Sequence, residues 1–218
     1  MDMRIRFTYK TKTKSSIEFE SSPFPRKETL IHVDDLMKTG RVLDLEIIDE
    51  MGSSWTRKEF IKLNEELEKE PENIRLYFDG GFDKESSMTG IGIVIYYEKG
   101  GEGFRIRRNH LLDSLENNNE AEYAALHYAL SILQELGVKN QPCAIYGDSQ
   151  VVLNQLGGEW PCYEAGLAKW LERTETLIKK IRIKTSLHVI GRKDNKEADK
   201  LANQALEGTR VESHKSLE

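Results

Sequence analysis

The 218-residue sequence predicts an α/β protein: a mixed five-stranded sheet with helices packed on it, preceded by a small α+β unit. Three observations predict it. Residues 74–79, 90–97 and 104–110 alternate or run apolar as consecutive strands do. From Ala121 onward the apolar period becomes helical, and helix and strand patterns then alternate. A charged run ending Glu68-Lys69-Glu70-Pro71-Glu72 divides the chain, because Pro71 disfavours helix at Glu70.

The elements follow in order. In residues 1–72, residues 3–9 and 17–19 alternate like strands. Residues 25–38 read as a helix, with Leu30, Val33 and Met37 at helical spacing and Gly40 as its stop. Residues 42–48 form a third strand, and residues 56–68 a second helix carrying Phe60, Leu63 and Leu67 on one face. The order is ββαβα.

In residues 73–218, strand 74–79 is followed by a loop, 80–89. Strand 90–97 is apolar on both faces through Ile91, Ile93, Val94 and Ile95. The turn Gly100-Gly101-Glu102-Gly103 fits a hairpin into strand 104–110. Ala121, Ala125, Ala129, Ile132, Leu133 and Leu136 make a helical stripe that Gly137 ends. A short strand, 143–146, and a helix from Gln150 to Leu156 come next. A long helix, 164–180, turns Leu167, Trp170, Leu171, Thr174, Leu177 and Ile178 inward. Strand 183–189 and helix 195–206 complete the pattern, and the polar tail after Gly208 is expected to fray.

Composition narrows the class. Hydrophobic residues make up 38% and charged ones 32%, as in ordinary soluble globular proteins. No stretch approaches the roughly 20 apolar residues of a membrane span, and residues 1–6 contain no apolar signal core. Cys143 and Cys162 make neither a metal-ligand spacing nor a disulfide framework, which fits a reduced, cytoplasmic setting. The net charge of −5 excludes a globally basic nucleic-acid coat. Locally, residues 179–200 carry eight cations against three acids, and Arg105, Arg107 and Arg108 lie on a strand; both groups are candidates for phosphate contact.

Four carboxylates carry two readings each. Asp79, ending an apolar strand before Gly80-Gly81, either opens a turn or holds a metal where glycines admit a phosphate backbone. Glu122 stands three residues after Asn119, the spacing of a capping box. The three asparagines before it can also donate to sugars and phosphates. Asp148, after strand 143–146, is either an N-cap or a ligand at a strand's carboxyl end. Asp199 borders an apolar helical stripe, while Asp194 and Glu197 already supply a cap, so it needs another partner, a solvent-facing rotamer or a cation. Oxygen-only ligands suit Mg²⁺ or Mn²⁺ rather than zinc. Two such ions about 4 Å apart can activate water and stabilise a leaving oxygen.

Together, Asp79-Gly80-Gly81, Asn118-Asn119-x-x-Glu122-Tyr123, Tyr146-Gly147-Asp148-Ser149-Gln150 and Asn195-x-x-Ala198-Asp199-x-Leu201-Ala202 resemble type 1 ribonuclease H over roughly residues 74–207. The look-alikes within that family are the compact, handle-lacking and reverse-transcriptase-like bacterial proteins. The resemblance implies sheet order 3-2-1-4-5 with helices on both faces. It implies two-metal cleavage of the RNA strand of RNA/DNA hybrids, leaving 3′-hydroxyl and 5′-phosphate ends. Carried over, Asp79, Glu122, Asp148 and Asp199 hold two Mg²⁺ or Mn²⁺ ions. Gly80, Gly81, Asn118, Asn119, Ser149, Gln150, Arg192 and Asn195 contact the hybrid, several reading 2′-hydroxyls.

There are departures. Asn117 stands where many members have threonine, and His188 is one position from the slot of a mobile histidine. Residues 1–72, net −3, do not resemble the aromatic- and glycine-rich hybrid-binding module and are expected to serve protein contacts or placement. The rival reading is a non-catalytic nucleic-acid-binding module on the same fold.

Overall fold

The computed structural model describes residues 2–113 and 115–217. It contains two compact units, Met1–Lys69 and Glu70–Glu218.

The first unit contains β1 (Asp2–Lys10), β2 (Ser16–Glu20), β3 (Phe24–Pro25), a 3₁₀ turn (Arg26–Glu28), α1 (Thr29–Lys38), β4 (Val42–Asp49), β5 (Ser54–Trp55) and α2 (Arg57–Leu67). The expected ββαβα frame is present, with two added two-residue strands. The antiparallel sheet runs β2-β1-β4-β5, with β3 also pairing β1. Alternation puts Met3 and Ile5 on one face of β1, where they bury with Ile47, Val33 and Phe60. Leu36 packs against this core and Met37, expected there, is 48% exposed, so the helical stripe runs by steps of three. Thr56 and Glu59 form a reciprocal capping box at the start of α2.

The second unit contains β6 (Glu72–Asp83), β7 (Met88–Lys99), β8 (Glu102–Leu112), α3 (Asn118–Glu135), β9 (Pro142–Gly147), α4 (Gln150–Leu156), α5 (Ala165–Ile181), β10 (Lys184–Val189), α6 (Lys196–Leu206) and β11 (Glu212–Leu217). The sheet order is β10-β9-β6-β7-β8-β11. Its first five strands in chain order take the expected 3-2-1-4-5 arrangement, with β7 antiparallel to its neighbours and β6, β9 and β10 parallel. Helices cover both faces: Ile91, Ile93 and Ile95 of β7 bury in the cluster that includes α3, while Val94 packs on Ala198 and Leu201 of α6.

Three expectations need correction. The tail does not fray. It forms β11, antiparallel to β8, and makes the sheet six-stranded. Tertiary partners hold this polar strand: His214 Nε2 lies 2.7 Å from the Tyr97 hydroxyl, and Asn109 bonds the Val211 amide and the Thr209 carbonyl. Next, β6 runs on through Gly80 and Gly81 to Asp83, so no turn opens at Asp79. Finally, the cations of residues 179–200 are not one patch. Lys179, Lys180 and Arg182 precede β10 and Arg192, Lys193, Lys196 and Lys200 follow it, so the strand, roughly 20 Å long, separates them.

Candidate active site

Asp79 inside β6, Glu122 in the first turns of α3 and Asp148 just after β9 are brought together. Asp79, Glu122 and Asp148 each offer a carboxylate oxygen within 4.8 Å of the others. Asp79 and Glu122 are buried, at 8% and 6% exposure. Asp148 is half-buried.

Local chemistry shows why these acids are not structural caps. The N-cap of α3 is Asn117, whose Oδ1 accepts from the Glu120 amide at 3.0 Å. The Glu120 carboxylate accepts from the Glu116 amide at 2.9 Å. The expected Asn119–Glu122 box therefore sits two residues too late, and Glu122 is free of capping. Asn117 and Glu120 have the same three-residue spacing, which was the signal available in the sequence. Likewise Ser149, not Asp148, caps α4 through the Val152 amide. The expected Asp194–Glu197 cap of α6 is also absent: Glu197 bonds Tyr96, Arg105 and Arg107 instead.

Glycine sets how closely α3 approaches. A Cβ on Gly80 would lie 2.3 Å from the Ala121 carbonyl carbon, so only glycine allows the helix to rest on β6 and deliver Glu122 beside Asp79. Gly80 thus faces α3, and its backbone N–H favours the charged form of Glu122. On the other face, Gly92, opposite Asp79 in the ladder, would place a Cβ 2.0 Å from the Ala198 carbonyl. That contact seats the turn of α6 that carries Asp199.

The electrostatics are those of crowded like charges. Burial, then the charges of Asp148 and Asp199, push the Asp79 carboxyl up to about 7. Burial, then the charges of Asp79 and Asp148, raise Glu122 well above the usual carboxylate range. Glu122 Oε2 is buried and has no hydrogen-bond partner. Three oxygen donors, one of them uncompensated, fit a hard divalent cation such as Mg²⁺ or Mn²⁺ and offer no nitrogen or sulfur to zinc.

The remaining predicted residues divide. Asp199 is exposed and lies outside the close trio, though its charge reaches Asp79. Arg192 is 92% exposed by side chain, with Nε 3.6 Å from Asp148 Oδ2. Asn118 Oδ1 accepts from the Phe82 amide at 3.3 Å. Gln150 is exposed, while Gly81, Asn119 and Ser149 are half-buried. Asn195 is only 1% exposed and sits beneath the acids. Arg105 and Arg107 are paired with Glu197, and Arg108 with Glu135 and Glu212, so these candidate phosphate contacts already have acidic partners. His188 stacks on Tyr146 at 4.7 Å. Trp170 packs against the core and Trp160 is 44% exposed.

A reverse transcriptase-like family model matches residues 77–205. The chain belongs to this family, type 1 ribonuclease H-like. Among similar proteins, the uncharacterized protein YpeP of Bacillus subtilis is 43% identical over 219 residues, spanning 100% of this chain and 96% of that protein. Ribonuclease HI of Halobacterium salinarum is 31% identical over 134 residues, 62% of this chain and 64% of that enzyme. The crystal structure of RNase H1 from that archaeon superposes with a TM-score of 0.55 at 29% identity, covering 62% of this chain and 98% of the other. A compost-derived LC11-RNase H1 in complex with an RNA/DNA hybrid gives 0.55 at 27% identity, with the same coverage. The family assignment and the sheet agree, and the acidic trio lies within the matched residues.

Proposed function

We propose that the Glu70–Glu218 unit is a metal-dependent endonuclease that hydrolyses the RNA strand of RNA/DNA hybrids. The observation that carries this reading is the close trio of buried Asp79 and Glu122 with half-buried Asp148, within 4.8 Å and with Glu122 Oε2 unpartnered, on a ribonuclease H-like fold. Hybrid as substrate is supported by the likeness to an RNase H1 solved with RNA/DNA hybrid.

Asp79, Glu122 and Asp148, completed by Asp199, would hold two Mg²⁺ or Mn²⁺ ions. When bound, such ions lower the pKa of water and stabilise charge on the leaving oxygen. The chain does the rest. Gly80 and Gly92 fix how far the helices carrying Glu122 and Asp199 stand from Asp79. Ser149 holds α4 at its start, so Gln150 begins the helix beside Asp148. The amides of Asn118, Asn119 and Gln150, with the open backbone at Gly81, would meet the RNA sugars, where 2′-hydroxyls distinguish RNA from DNA. Arg192, Lys193, Lys196 and Lys200, at the site end of β10, would meet phosphates. The Met1–Lys69 unit would serve protein contacts or placement, in a cytoplasmic protein. Among the described residues no helix is long and apolar enough to cross a membrane.

The test is cleavage of end-labelled RNA in a hybrid with Mg²⁺ or Mn²⁺, beside single-stranded RNA, double-stranded RNA and double-stranded DNA. Selective cleavage of the hybrid, leaving 5′-phosphate ends, is expected. A hybrid bound but uncleaved with both metals would establish the non-catalytic binding module instead.

A further inference from the structure

We infer that Asn195 is a positioning residue for the acidic site: its side-chain amide locks the first turn of α6 to β6 and orients Asp148 toward Asp79 and Glu122. The inference rests on the metal-site reading above and assigns a role that the hybrid-contact expectation for Asn195 missed.

The geometry is specific. Asn195 Nδ2 donates to the Phe78 carbonyl at 2.9 Å and to Asp148 Oδ1 at 3.2 Å. Phe78 immediately precedes Asp79, so one amide group ties the strand that carries one acid to the carboxylate of another. At 1% exposure the side chain cannot reach a substrate lying on the surface. Its orientation is forced: turned over, Oδ1 would face a carbonyl and a carboxylate, three oxygens with no proton among them. Oδ1 instead points to a buried position without a partner, a cost the chain bears so that both donor hydrogens face the site.

The backbone adds to the lock. The Asn195 amide bonds the Gly191 and Arg192 carbonyls, closing the loop whose Arg192 Nε approaches the other oxygen of Asp148. Asp148 is therefore hydrogen-bonded at one oxygen and faced by a cation at the other from one short segment, residues 191–195. The same residue begins α6, whose Ala198 carbonyl rests on Gly92 opposite Asp79. Ligating carboxylates are commonly fixed by an outer hydrogen bond, and loss of such a partner typically costs about 10–100-fold in metal affinity or activity.

The test uses the full chain and two readouts. First, Mn²⁺ affinity is measured by calorimetry, and kcat and KM on the hybrid are determined, for wild type and Asn195→Ala. Mn²⁺ binding weaker by about 10–100-fold is expected, with kcat falling similarly and KM on hybrid nearly unchanged. Wild-type affinity and kcat in Asn195→Ala, or a rise confined to KM, overturns the inference and makes Asn195 a substrate contact. Second, the Asn195 side-chain amide is followed by ¹⁵N NMR in the metal-free wild type and in Asp148→Asn. This readout needs neither metal, activity nor a folded Asn195→Ala. Slow solvent exchange, with a signal that moves in Asp148→Asn, is expected; fast exchange and no movement overturns the inference. If wild type binds no Mn²⁺ while this signal behaves as expected, the metal-site reading fails and the Asn195–Asp148 contact stands.

Discussion

Three acids of the first unit contrast with two of the second. In Met1–Lys69, Glu20, Asp49 and Glu59 have structural partners that favour their charge. Arg6 and Arg4 hold Glu20 below the usual carboxylate range. Thr56 does the same for Glu59 within the capping box. Asp49 is pushed up by burial, but bonds from the Ser53 and Met51 amides outweigh that and lower it. In Glu70–Glu218, Asp79 and Glu122 are buried beside other acids and raised. A carboxylate with a lowered pKa stabilises the folded chain, whereas one with a raised pKa costs stability and needs another reason to be there. On the proposed reading, a divalent cation is that reason.

The largest expected difference is in activity. Asp79→Asn should lower hybrid cleavage more than about a hundredfold, beyond the usual cost of an outer-shell change. Its metal-free chain should melt higher at pH 8, because the buried charge is gone. Glu122→Gln should lose activity comparably, since the cap of α3 belongs to Asn117 and Glu120. Asn117→Ala should show the reverse, costing about 1 kcal/mol of stability while the acids keep their charge. Thr56→Ala in the first unit should cost a similar amount and leave cleavage untouched. Full activity in Glu122→Gln would erase the contrast between the units.

The pH dependence should run in opposite directions. Folded Asp79 keeps its proton to about 7 against an ordinary 3.8, so between those values the folded chain binds more protons than the unfolded one. Metal-free stability of the second unit should therefore fall as pH rises from about 4 to 7. Glu20, Asp49 and Glu59 contribute stability that is present at neutral pH and lost only as pH falls below their ordinary range. Melting with and without Mg²⁺ checks this: the ion should raise the transition most at pH 8 and least at pH 5. A pH-independent Mg²⁺ effect would break the link between the raised carboxyls and the ion.

A smaller effect concerns packing. Gly92→Ala puts a methyl 2.0 Å from the Ala198 carbonyl. Displacing α6 should cost roughly 1–3 kcal/mol and lower kcat by moving Asp199. The smallest effect is expected in the first unit's hairpin: alanine at Lys10, Lys12 and Lys14 together should leave the cleavage rate and its salt slope unchanged. A flatter slope would show that this unit touches phosphates.

Much of this was legible in the sequence, for a physical reason. Strand alternation and the helical stripe from Ala121 report burial directly, so the five main strands and their helices were found. Asp79 and Asp148 stood out because each ends or follows an apolar strand pattern, and Glu122 because three asparagines precede it at the head of a helix. Contacts between distant residues were not legible. The tail strand is polar except for Leu217, and what orders it is His214 against Tyr97 and Asn109 against Val211, more than a hundred residues apart in each case. Caps were misplaced where two registers had equal spacing, as with Asn117–Glu120 and Asn119–Glu122. Asn195 was expected only to contact the hybrid, and its hydrogen bonds were not legible because its partners, Phe78 and Asp148, come from two other parts of the chain.

The central claim, that the crowded acids exist to hold divalent ions for hydrolysis, is tested most directly by single-turnover cleavage of labelled RNA/DNA hybrid by the full chain as Mn²⁺ is titrated after chelation. The account predicts no cleavage in chelator, a rate that rises and saturates with Mn²⁺, and loss of that response in Asp79→Asn. Cleavage that survives chelation, or an unaltered Mn²⁺ response in Asp79→Asn, would contradict it.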